Sequence, residues 1–333
     1  MGNKRNAVID MTRIGAAMGI ILCHVDLTGY GAVGTFLGQF LTARFSLMFF
    51  LAVIGFYLEK SHQTGQAAIG KRVASLVRLY GLWSLVYLGF SFVMLVLIQK
   101  MPVGQFLISR VRGFFLTGSY YHFWFYPAAI YSLLIIGGVK KLLGQRTIRF
   151  LMPLAVVLYL VGLLGTGYLP LGQQIPGLKF LFGLEDFEAL MHLFLLGFPA
   201  VVFGMAAAKG DRKCSGFAVL LAAALYVAES AMLCFCLGWR EDPQMLISTP
   251  MLTVLFLRWA QNSRCSGKKI NHALFRIISG GMYNVHPLIL AGFAVVGPEM
   301  DGLVAFVLCV LCSALFGWML YHLRKIKFFG LFI

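Results

Sequence analysis

Residues 1–25 read MGNKRNAVIDMTRIGAAMGIILCHV, and this stretch decides the class of fold. A basic start leads into an apolar run, a pattern that secretory signal peptides share. However, Asp10 and Arg13 interrupt the run, and no small-residue cleavage site follows it. We therefore predict that the stretch is a retained first membrane span.

The composition extends this prediction to the whole chain. The 333 residues are 60% apolar and 12% charged, whereas soluble domains have about 25% charged residues. This excludes a soluble globular enzyme. Because a membrane helix needs about 20 apolar residues, the chain has room for about ten spans and for no second folded domain. We expect a single all-α polytopic membrane domain over residues 1–333.

Hydropathy and turn residues place the predicted spans along the chain. Their approximate limits are 8–27, 36–58, 76–98, 121–138, 150–168, 190–208, 215–237, 245–260, 274–296 and 302–322. Residues 99–120, between the third and fourth spans, are aromatic and partly basic. We expect them to form an amphipathic segment that lies on the membrane or caps a cavity.

The distribution of charge predicts the orientation of the spans. The net charge of +16 comes from short basic clusters between apolar runs, and not from a stripe or tail that would indicate nucleic acid. With the N-terminus inside, 21 of the 28 Lys and Arg residues face the cytoplasm, 6 face outward and Arg13 lies inside the first span. The positive-inside rule then predicts two cytoplasmic termini. We expect a multi-pass protein of the bacterial cytoplasmic membrane.

Ionisable residues in the predicted spans are costly and mark functional or paired groups. They are Asp10, Arg13, His24, Arg44, His122, Glu229 and His286. Arg13 and His24 are 11 residues apart, so they share one stripe of a helix and are separated by about 16.5 Å along its axis. Gly15 and Gly19, on roughly the opposite side, predict close contact with another helix. Most of the listed groups lie toward the outer half of the membrane, which predicts a polar cavity open to the outside.

Four stretches resemble, in order, motifs of the acyltransferase family 3 membrane proteins. They are IDMTRIGAAMGIILCH (9–24), TARFSLMFFLAVIGFYL (42–58), YYHFWFYPAAIY (120–131) and SGGMYNVHPL (279–288). Members of this family move acyl groups, usually acetyl, onto cell-envelope sugars and related acceptors. The resemblance extends over nearly the whole chain and implies a membrane-embedded acyltransferase of the O- or N-acetyltransferase type.

The resemblance also implies roles for particular residues. Acyl-CoA, in particular acetyl-CoA, is the expected donor. His24 is the candidate base that takes a proton from the acceptor, and Arg13 would orient the donor or stabilise its negative groups. Lys71, Arg72 and Arg78 would attract the nucleotide end of the donor from the cytoplasm. Direct transfer and an acyl-histidine intermediate both stay open.

The predicted outer cavity is the expected acceptor site. There, aromatic rings would cover a glycan or hold a small polar solute, while a few polar groups fix its orientation. The residues expected to bind the substrate are Asp10, Arg44, Tyr121, His122, Trp124, Glu229, Tyr283 and His286. The alternative is an aromatic belt, in which Tyr121 and Trp124 face lipid headgroups. The cysteines lie mostly in apolar segments, so we expect no metal site.

Some positions depart from the family pattern. Met48 and Ile54 stand where the second span often has Pro and Ser, so a helix bend and a hydroxyl contact are not expected. Met191 and His192 stand near a position that is often Arg in relatives.

Within the family, GSYYHFWFYPAAI (118–130) and VLYLVGLLGTGY (157–168) look most like the membrane domain of vancomycin-resistance-type serine and alanine racemases. There the domain precedes a soluble pyridoxal-phosphate racemase and has been associated with supplying serine. This implies a second hypothesis, a binding or transport module for L-serine or a similar solute, with Arg44 or Arg13 holding its carboxylate. A fused or partner racemase domain, a link to antibiotic resistance and a purely scaffolding role remain open. No inverted repeat of the kind that transporters often show is evident.

Overall fold

The computed structural model of the protein describes residues 5–61, 66–209, 213–240, 243–263, 270–296 and 300–333. Every regular element within these ranges is a helix. The α-helices in chain order are α1 (Ala7–His24), α2 (Gly31–Thr35), α3 (Arg44–Lys60), α4 (Gln66–Ser91), α5 (Val103–Phe115), α6 (Phe125–Leu143), α7 (Thr147–Leu164), α8 (Leu169–Gly172), α9 (Pro176–Phe182), α10 (Phe187–Leu190), α11 (Phe198–Lys209), α12 (Gly216–Ala231), α13 (Ser248–Asn262), α14 (His272–Val296), α15 (Gly302–Leu323) and α16 (Lys327–Gly330).

Segments of π-helix lengthen four of these helices. Phe36–Ala43 precedes α3, Phe92–Ile98 follows α4, Met191–Gly197 joins α10 to α11, and Met232–Cys236 follows α12. Insertions of this kind are often found at functional sites.

Nine helical segments of the described chain are long and apolar enough to cross a membrane. They are Ala7–His24, Thr28–Lys60, Ala67–Ile98, Phe125–Leu143, Thr147–Leu164, Phe187–Lys209, Gly216–Cys236, His272–Val295 and Gly302–Leu323. The tenth predicted span, 245–260, corresponds to α13, whose 15 residues give a length of about 22 Å. This is short for a hydrocarbon core of about 30 Å, but α13 packs against α3, α11 and α12.

These elements confirm the all-α polytopic fold, while the cytoplasmic position of the two termini stays a prediction. Some of the basic residues counted on the cytoplasmic side fall outside the described ranges. They are Lys4, Arg212, Arg264, Lys268 and Lys269.

α3 and α11 approach so closely that their backbones touch. A Cβ atom on Gly55 would lie 1.8 Å from the carbonyl oxygen of Val201, and one on Gly204 would lie 1.8 Å from that of Ala52. Both positions therefore require glycine, as close contact between membrane helices commonly does. The resulting helix pair forms part of the centre of the fold.

The predicted contact at Gly15 and Gly19 is formed at one of the two glycines. A Cβ atom on Gly19 would lie 2.5 Å from the hydroxyl of Ser46 and 3.1 Å from the carbonyl oxygen of Thr42. Gly15 has open space at the same position. Hence, of these two glycines, Gly19 is the one that lets α1 approach the second helical segment closely.

The segment between the third and fourth predicted spans turns back beside α4. The ring of Phe106 in α5 contacts Phe92, with centroids 5.6 Å apart, and the ring of Phe114 stacks on Tyr80 at 4.5 Å. The Tyr80 hydroxyl also donates a hydrogen bond of 2.7 Å to the carbonyl of Phe114. α5 thus runs antiparallel to α4 and lies along it, with Phe106 as its one buried residue. Ser109, Arg110 and Gly113 of α5 also line a cavity.

Candidate functional site

Two polar sites lie at opposite ends of α1. Arg13 belongs to the first and His24 ends the helix at the second, with a rise of about 16.5 Å between them. Asn6 fixes the start of α1, because its side chain accepts a hydrogen bond of 3.1 Å from the backbone N–H of Ile9 and donates one of 2.6 Å to the carbonyl of Ala260. A single helix therefore sets the distance between the two sites.

The first site is built around the carboxylate of Asp10, which is only 1% exposed. The Nε atom of Arg13 lies 3.3 Å from its Oδ1, and the Nδ1 atom of His272 lies 2.7 Å from its Oδ2. A buried carboxylate is costly unless it is paired, and Asp10 has a partner on each oxygen. His272 is the first residue of α14, so this pairing joins α1 to α14.

A cavity of about 530 Å³ opens beside Asp10, and we call it the arginine cavity. Its lining brings four guanidinium groups against this single carboxylate, those of Arg5, Arg13, Arg72 and Arg276. The Nε atom of Arg13 faces Asp10, whereas that of Arg276 is buried and makes no hydrogen bond within the described chain. An excess of positive charge and unused N–H donors suit a phosphate or carboxylate group, which guanidinium binds well.

Only one of the three residues predicted to bind the donor lines this cavity. Arg72 does so, and its Nη2 donates a hydrogen bond of 2.8 Å to the carbonyl of Tyr57. Lys71 is exposed and does not line the cavity. Arg78 lines a separate groove, and its Nη2 lies 3.4 Å from the carbonyl oxygen of Ile333.

Sequence reasoning missed Arg5, His272 and Arg276 as members of this site. The charge count assigns Arg5 and Arg276 to the cytoplasmic rim, where basic residues need no further role. His272 precedes the predicted ninth span. The signal that was available is the spacing of His272 and Arg276, because residues four apart lie on one face of a helix.

The second site is a cluster of imidazole and phenol rings, which we call the histidine cluster. The ring centroid of His24 lies 5.3 Å from that of His286, with the planes 23° apart, and 4.9 Å from that of Tyr121. The ring of His122 lies 5.2 Å from that of His286 and 5.4 Å from that of Tyr283. α1, α14 and the segment before α6 thus meet at the end of α1.

Several imidazole nitrogens in this cluster have no hydrogen-bond partner. Nδ1 of His286 lies 3.1 Å from the carbonyl oxygen of Met282 and 2.9 Å from that of Tyr283. Because carbonyl groups only accept, this nitrogen carries a proton, and in the neutral imidazole Nε2 is then the acceptor. That Nε2 and both ring nitrogens of His122 are buried and unpartnered within the described chain. Buried groups of this kind are uncommon and are candidates for a chemical role.

Tyrosine hydroxyls hold the cluster in position. The Tyr283 hydroxyl donates to the carbonyl of His122. The Tyr126 hydroxyl donates to Oδ1 of Asn284 at 2.7 Å, and the Tyr87 hydroxyl donates to the carbonyl of the same residue at 2.7 Å. These bonds join α4, α6 and α14 at the level of the cluster. They also place Tyr87 and Asn284, which were not predicted, behind the imidazole rings.

A second cavity, of about 570 Å³, borders the histidine cluster, and we call it the α5 cavity. Its polar lining consists of Ser91, Gln99, Ser109, Arg110, Thr117, Tyr120, Tyr121 and Glu188. Because the Tyr121 ring also contacts His24, a molecule in this cavity would lie next to the imidazole groups. Of the residues predicted to bind the acceptor, Tyr121 is the one that lines this cavity.

Trp124 and Arg44 lie beside the cluster but not in it. Trp124 stacks on His192, with ring centroids 4.2 Å apart and planes 9° apart. Arg44 is buried, and its guanidinium donates to the carbonyl and to Oε1 of Gln39, both at 2.7 Å, and to Oε1 of Gln244 at 2.8 Å. Its charge is close enough to act on His24 and His192. Arg44 therefore affects the electrostatics of the cluster from its edge.

Glu229 caps a helix. Its carboxylate accepts hydrogen bonds from the Tyr168 hydroxyl at 2.7 Å, from the backbone N–H groups of Ile247 at 2.7 Å and Ser248 at 2.8 Å, and from the Ser248 hydroxyl. A negative charge at this end of α13 is favourable because the first N–H groups of a helix lack partners. We therefore assign Glu229 to the fold and leave it out of the acceptor site.

The positions that depart from the family pattern lie in the core or at a cavity wall. Met48 is fully buried, and Ile54 lines the arginine cavity. An isoleucine in place of a serine removes a hydroxyl from that wall. His192, near the position that is often Arg in relatives, stacks on Trp124. Its Nδ1 is buried without a hydrogen-bond partner in the described part of the chain.

Fold and sites together define the class: a polytopic helical membrane protein with an arginine-lined cavity at one end of its first span and a histidine cluster at the other. Comparison with known families makes the class specific. The chain belongs to acyltransferase family 3, whose acyltransferase domain matches residues 6–323. This membership supports a membrane acyltransferase in general.

Curated relatives confirm the resemblance to the racemase-linked members. An amino-acid racemase of Enterococcus faecalis is 23% identical over 340 residues, which cover 95% of this chain and 46% of the relative. A serine/alanine racemase of Enterococcus gallinarum is 27% identical over 179 residues, covering 52% of this chain and 24% of the relative. The chain thus spans less than half the length of these relatives. No solved structure matches it.

Proposed function

We propose that the protein transfers an acyl group, expected to be acetyl, from acyl-CoA to a hydroxyl or amine of a cell-envelope glycan or small polar acceptor. The observation that carries this proposal is the pairing of two different sites on one helix. The arginine cavity suits an anionic donor and the histidine cluster suits proton transfer, and α1 holds Arg13 and His24 about 16.5 Å apart.

We propose the arginine cavity as the acyl-CoA site because of its positive charge. The nucleotide end of coenzyme A carries phosphate groups, and guanidinium groups bind phosphate in a bidentate manner. Arg5, Arg13, Arg72 and Arg276 line one cavity. With the proposed topology this cavity faces the cytoplasm, where acyl-CoA is available. The acyl end of the donor would then extend along α1 toward His24.

The chemical step is proposed from the position of His24 in the histidine cluster. A neutral His24 would accept the proton of the acceptor hydroxyl while that oxygen attacks the thioester carbonyl carbon. The carbon–sulfur bond then breaks, the ester forms, and the thiolate of coenzyme A leaves and takes up a proton. His24 returns the proton it accepted to solvent. The stacked His286 and the phenol of Tyr121 would fix the orientation of the His24 ring.

A second candidate function is a module that binds or carries a small amino acid for a fused or partner racemase. The names of the Enterococcus relatives favour it, because one of them is a serine/alanine racemase. In that case the arginine cavity or Arg44 would hold the carboxylate of the amino acid. A link to antibiotic resistance would follow only from this candidate.

The test uses the full chain purified in detergent or nanodiscs. We expect acetyl-CoA to bind, and its thioester to be consumed in the presence of acceptor. His24→Ala should lower the rate about 10²- to 10⁴-fold, the usual effect of a general base, and should leave acetyl-CoA affinity nearly unchanged. Arg13→Gln should mainly weaken acetyl-CoA binding. His322→Ala is the matched control, because His322 lies in the last turn of α15, where its ring contacts that of Trp318 with centroids 4.4 Å apart.

Two outcomes would overturn the proposal. One is a wild-type protein that neither binds nor consumes acetyl-CoA but takes up L-serine in vesicles, which would favour the second candidate. The other is wild-type transfer by both His24→Ala and Arg13→Gln.

A further inference from the structure

The end of α1 that carries His24 is held from the side by the π-helical segment Phe36–Ala43. The last four carbonyl groups of a helix have no partner within the helix, and a carbonyl without a partner is costly inside a membrane. The carbonyl of Cys23 is one of these four, and Nε2 of Gln39 donates a hydrogen bond of 3.0 Å to it. Gly38 allows this approach, because a Cβ atom there would lie 3.3 Å from the carbonyl oxygen of the residue before Cys23. Gln39 therefore caps the helix that ends in His24.

The bonded carbonyl belongs to the peptide unit that leads directly into His24. A peptide unit is planar, so its oxygen lies in one plane with the nitrogen and the Cα atom of the next residue. Holding the oxygen of Cys23 therefore fixes the plane from which the His24 side chain projects. From there the His24 ring lies 5.3 Å from that of His286 and 4.9 Å from that of Tyr121.

Arg44 holds the amide of Gln39 in the orientation that this bond requires. Its Nη2 donates to Oε1 of Gln39 at 2.7 Å, and its Nε donates to the backbone carbonyl of the same residue, also at 2.7 Å. A guanidinium only donates and a carbonyl only accepts, so the amide oxygen faces Arg44 and the amide N–H faces Cys23. The π-helical pattern, which bonds residues five apart, places Arg44 beside Gln39.

We infer that Gln39 is a positioning residue for His24, and that Arg44 positions Gln39 in turn. Gln39 is not among the described residues that line the arginine cavity or the α5 cavity, so it acts through the end of α1. The inference gives the buried charge of Arg44 a role that needs no substrate. It rests on the proposed function, because it takes His24 to be the base that accepts the proton of the acceptor.

The experiment compares two variants of the purified full chain that differ in one hydrogen bond. In Gln39→Glu the new carboxylate, ionised beside Arg44, accepts from the guanidinium but has no proton to donate to the Cys23 carbonyl. Gln244→Glu is the matched control, because Oε1 of Gln244 accepts from Nη1 of Arg44 at 2.8 Å and its replacement leaves Gln39 in place. Both variants add one negative charge next to Arg44, so a difference between them reports the bond to Cys23 and not the charge.

We expect Gln39→Glu to lower kcat about 10- to 100-fold relative to Gln244→Glu, since misplacing a reacting group by about 1 Å can cost about 10²-fold. The Kd for acetyl-CoA should be equal in the two variants, because the arginine cavity lies at the other end of α1. The unfolding midpoint of Gln39→Glu should be no lower than that of the control, because Arg44 keeps a charged acceptor in both. A role in the fold alone would lower the midpoint and weaken acetyl-CoA binding together with kcat.

Hydrogen exchange at the end of α1 is measured on the same samples without substrate, and it should be faster in Gln39→Glu than in Gln244→Glu. Equal kcat or equal exchange in the two variants would overturn the inference, as would a joint loss of kcat, affinity and stability in Gln39→Glu. A wild-type protein that transfers no acetyl group would instead overturn the proposed function. The exchange rates would then decide alone whether Gln39 holds the end of α1.

Discussion

Replacing Arg276 by glutamine tests the arginine cavity directly. The Nε atom of Arg276 is buried, has no hydrogen-bond partner in the described chain, and lies in a cavity with three other guanidinium groups and one carboxylate. If this group binds a phosphate of the donor, its loss removes a hydrogen bond to a charged group, worth about 1.5–3 kcal/mol. This corresponds to an increase of about 10- to 150-fold in the Kd for acetyl-CoA.

For the same substitution we predict a change in stability in the opposite direction from the change in affinity. Without ligand, the cavity holds an excess of like charges, so removing one of them should leave the melting temperature unchanged or raise it. Arg13→Gln should lower it, because Asp10 would lose the ion partner at its Oδ1 and a buried, partly unpaired carboxylate is costly. Function and stability would thus change in opposite directions at Arg276, as is common at functional sites.

Calorimetric titration with acetyl-CoA and thermal unfolding of the same preparations measure the two quantities. Arg149→Gln is the control, because Arg149 is an exposed arginine of α7 outside the cavity. An unchanged Kd in Arg276→Gln would refute the assignment of the cavity to the donor. A fall in melting temperature as large as that of Arg13→Gln would refute the argument from like charges.

Further predictions concern the fold and the topology. Glu229→Gln should destabilise the protein by about 1.5–3 kcal/mol, since its charged carboxylate accepts hydrogen bonds from neutral donors such as the Ser248 N–H. An unchanged unfolding midpoint would contradict the helix-cap role. Gly204→Ala should abolish or strongly lower expression of folded protein because its Cβ would meet backbone, whereas Gly15→Ala, in open space, should be neutral or stabilising by up to about 1 kcal/mol. Thermal unfolding in detergent compares the two. A membrane-impermeant thiol reagent should label Cys265 only from the cytoplasmic side, and labelling from outside would reverse the predicted topology.

Much of the fold was predictable because membrane spans are local features. About 20 consecutive apolar residues suffice to predict each span, and the described helices match the predicted positions, including the short α13. Helical periodicity likewise places Arg13 and His24 on one stripe without any tertiary information. What hydropathy did not predict is the path of α5, because an amphipathic segment of 13 residues can lie on a membrane or pack back against a neighbouring helix with the same sequence pattern.

The sequence by itself determined the residue types available for the sites, and the tertiary structure decided which of them meet. His272 pairs with Asp10 across 262 positions of sequence, and nothing local to either residue specifies that contact. Glu229 and Trp124 looked like site residues because they are polar or aromatic groups in apolar spans, but packing assigned one to a helix cap and the other to a stack on His192. The physical reason is that burying any polar group without a partner is costly, so the sequence shows that each needs a partner. Which partner it finds depends on how distant helices cross.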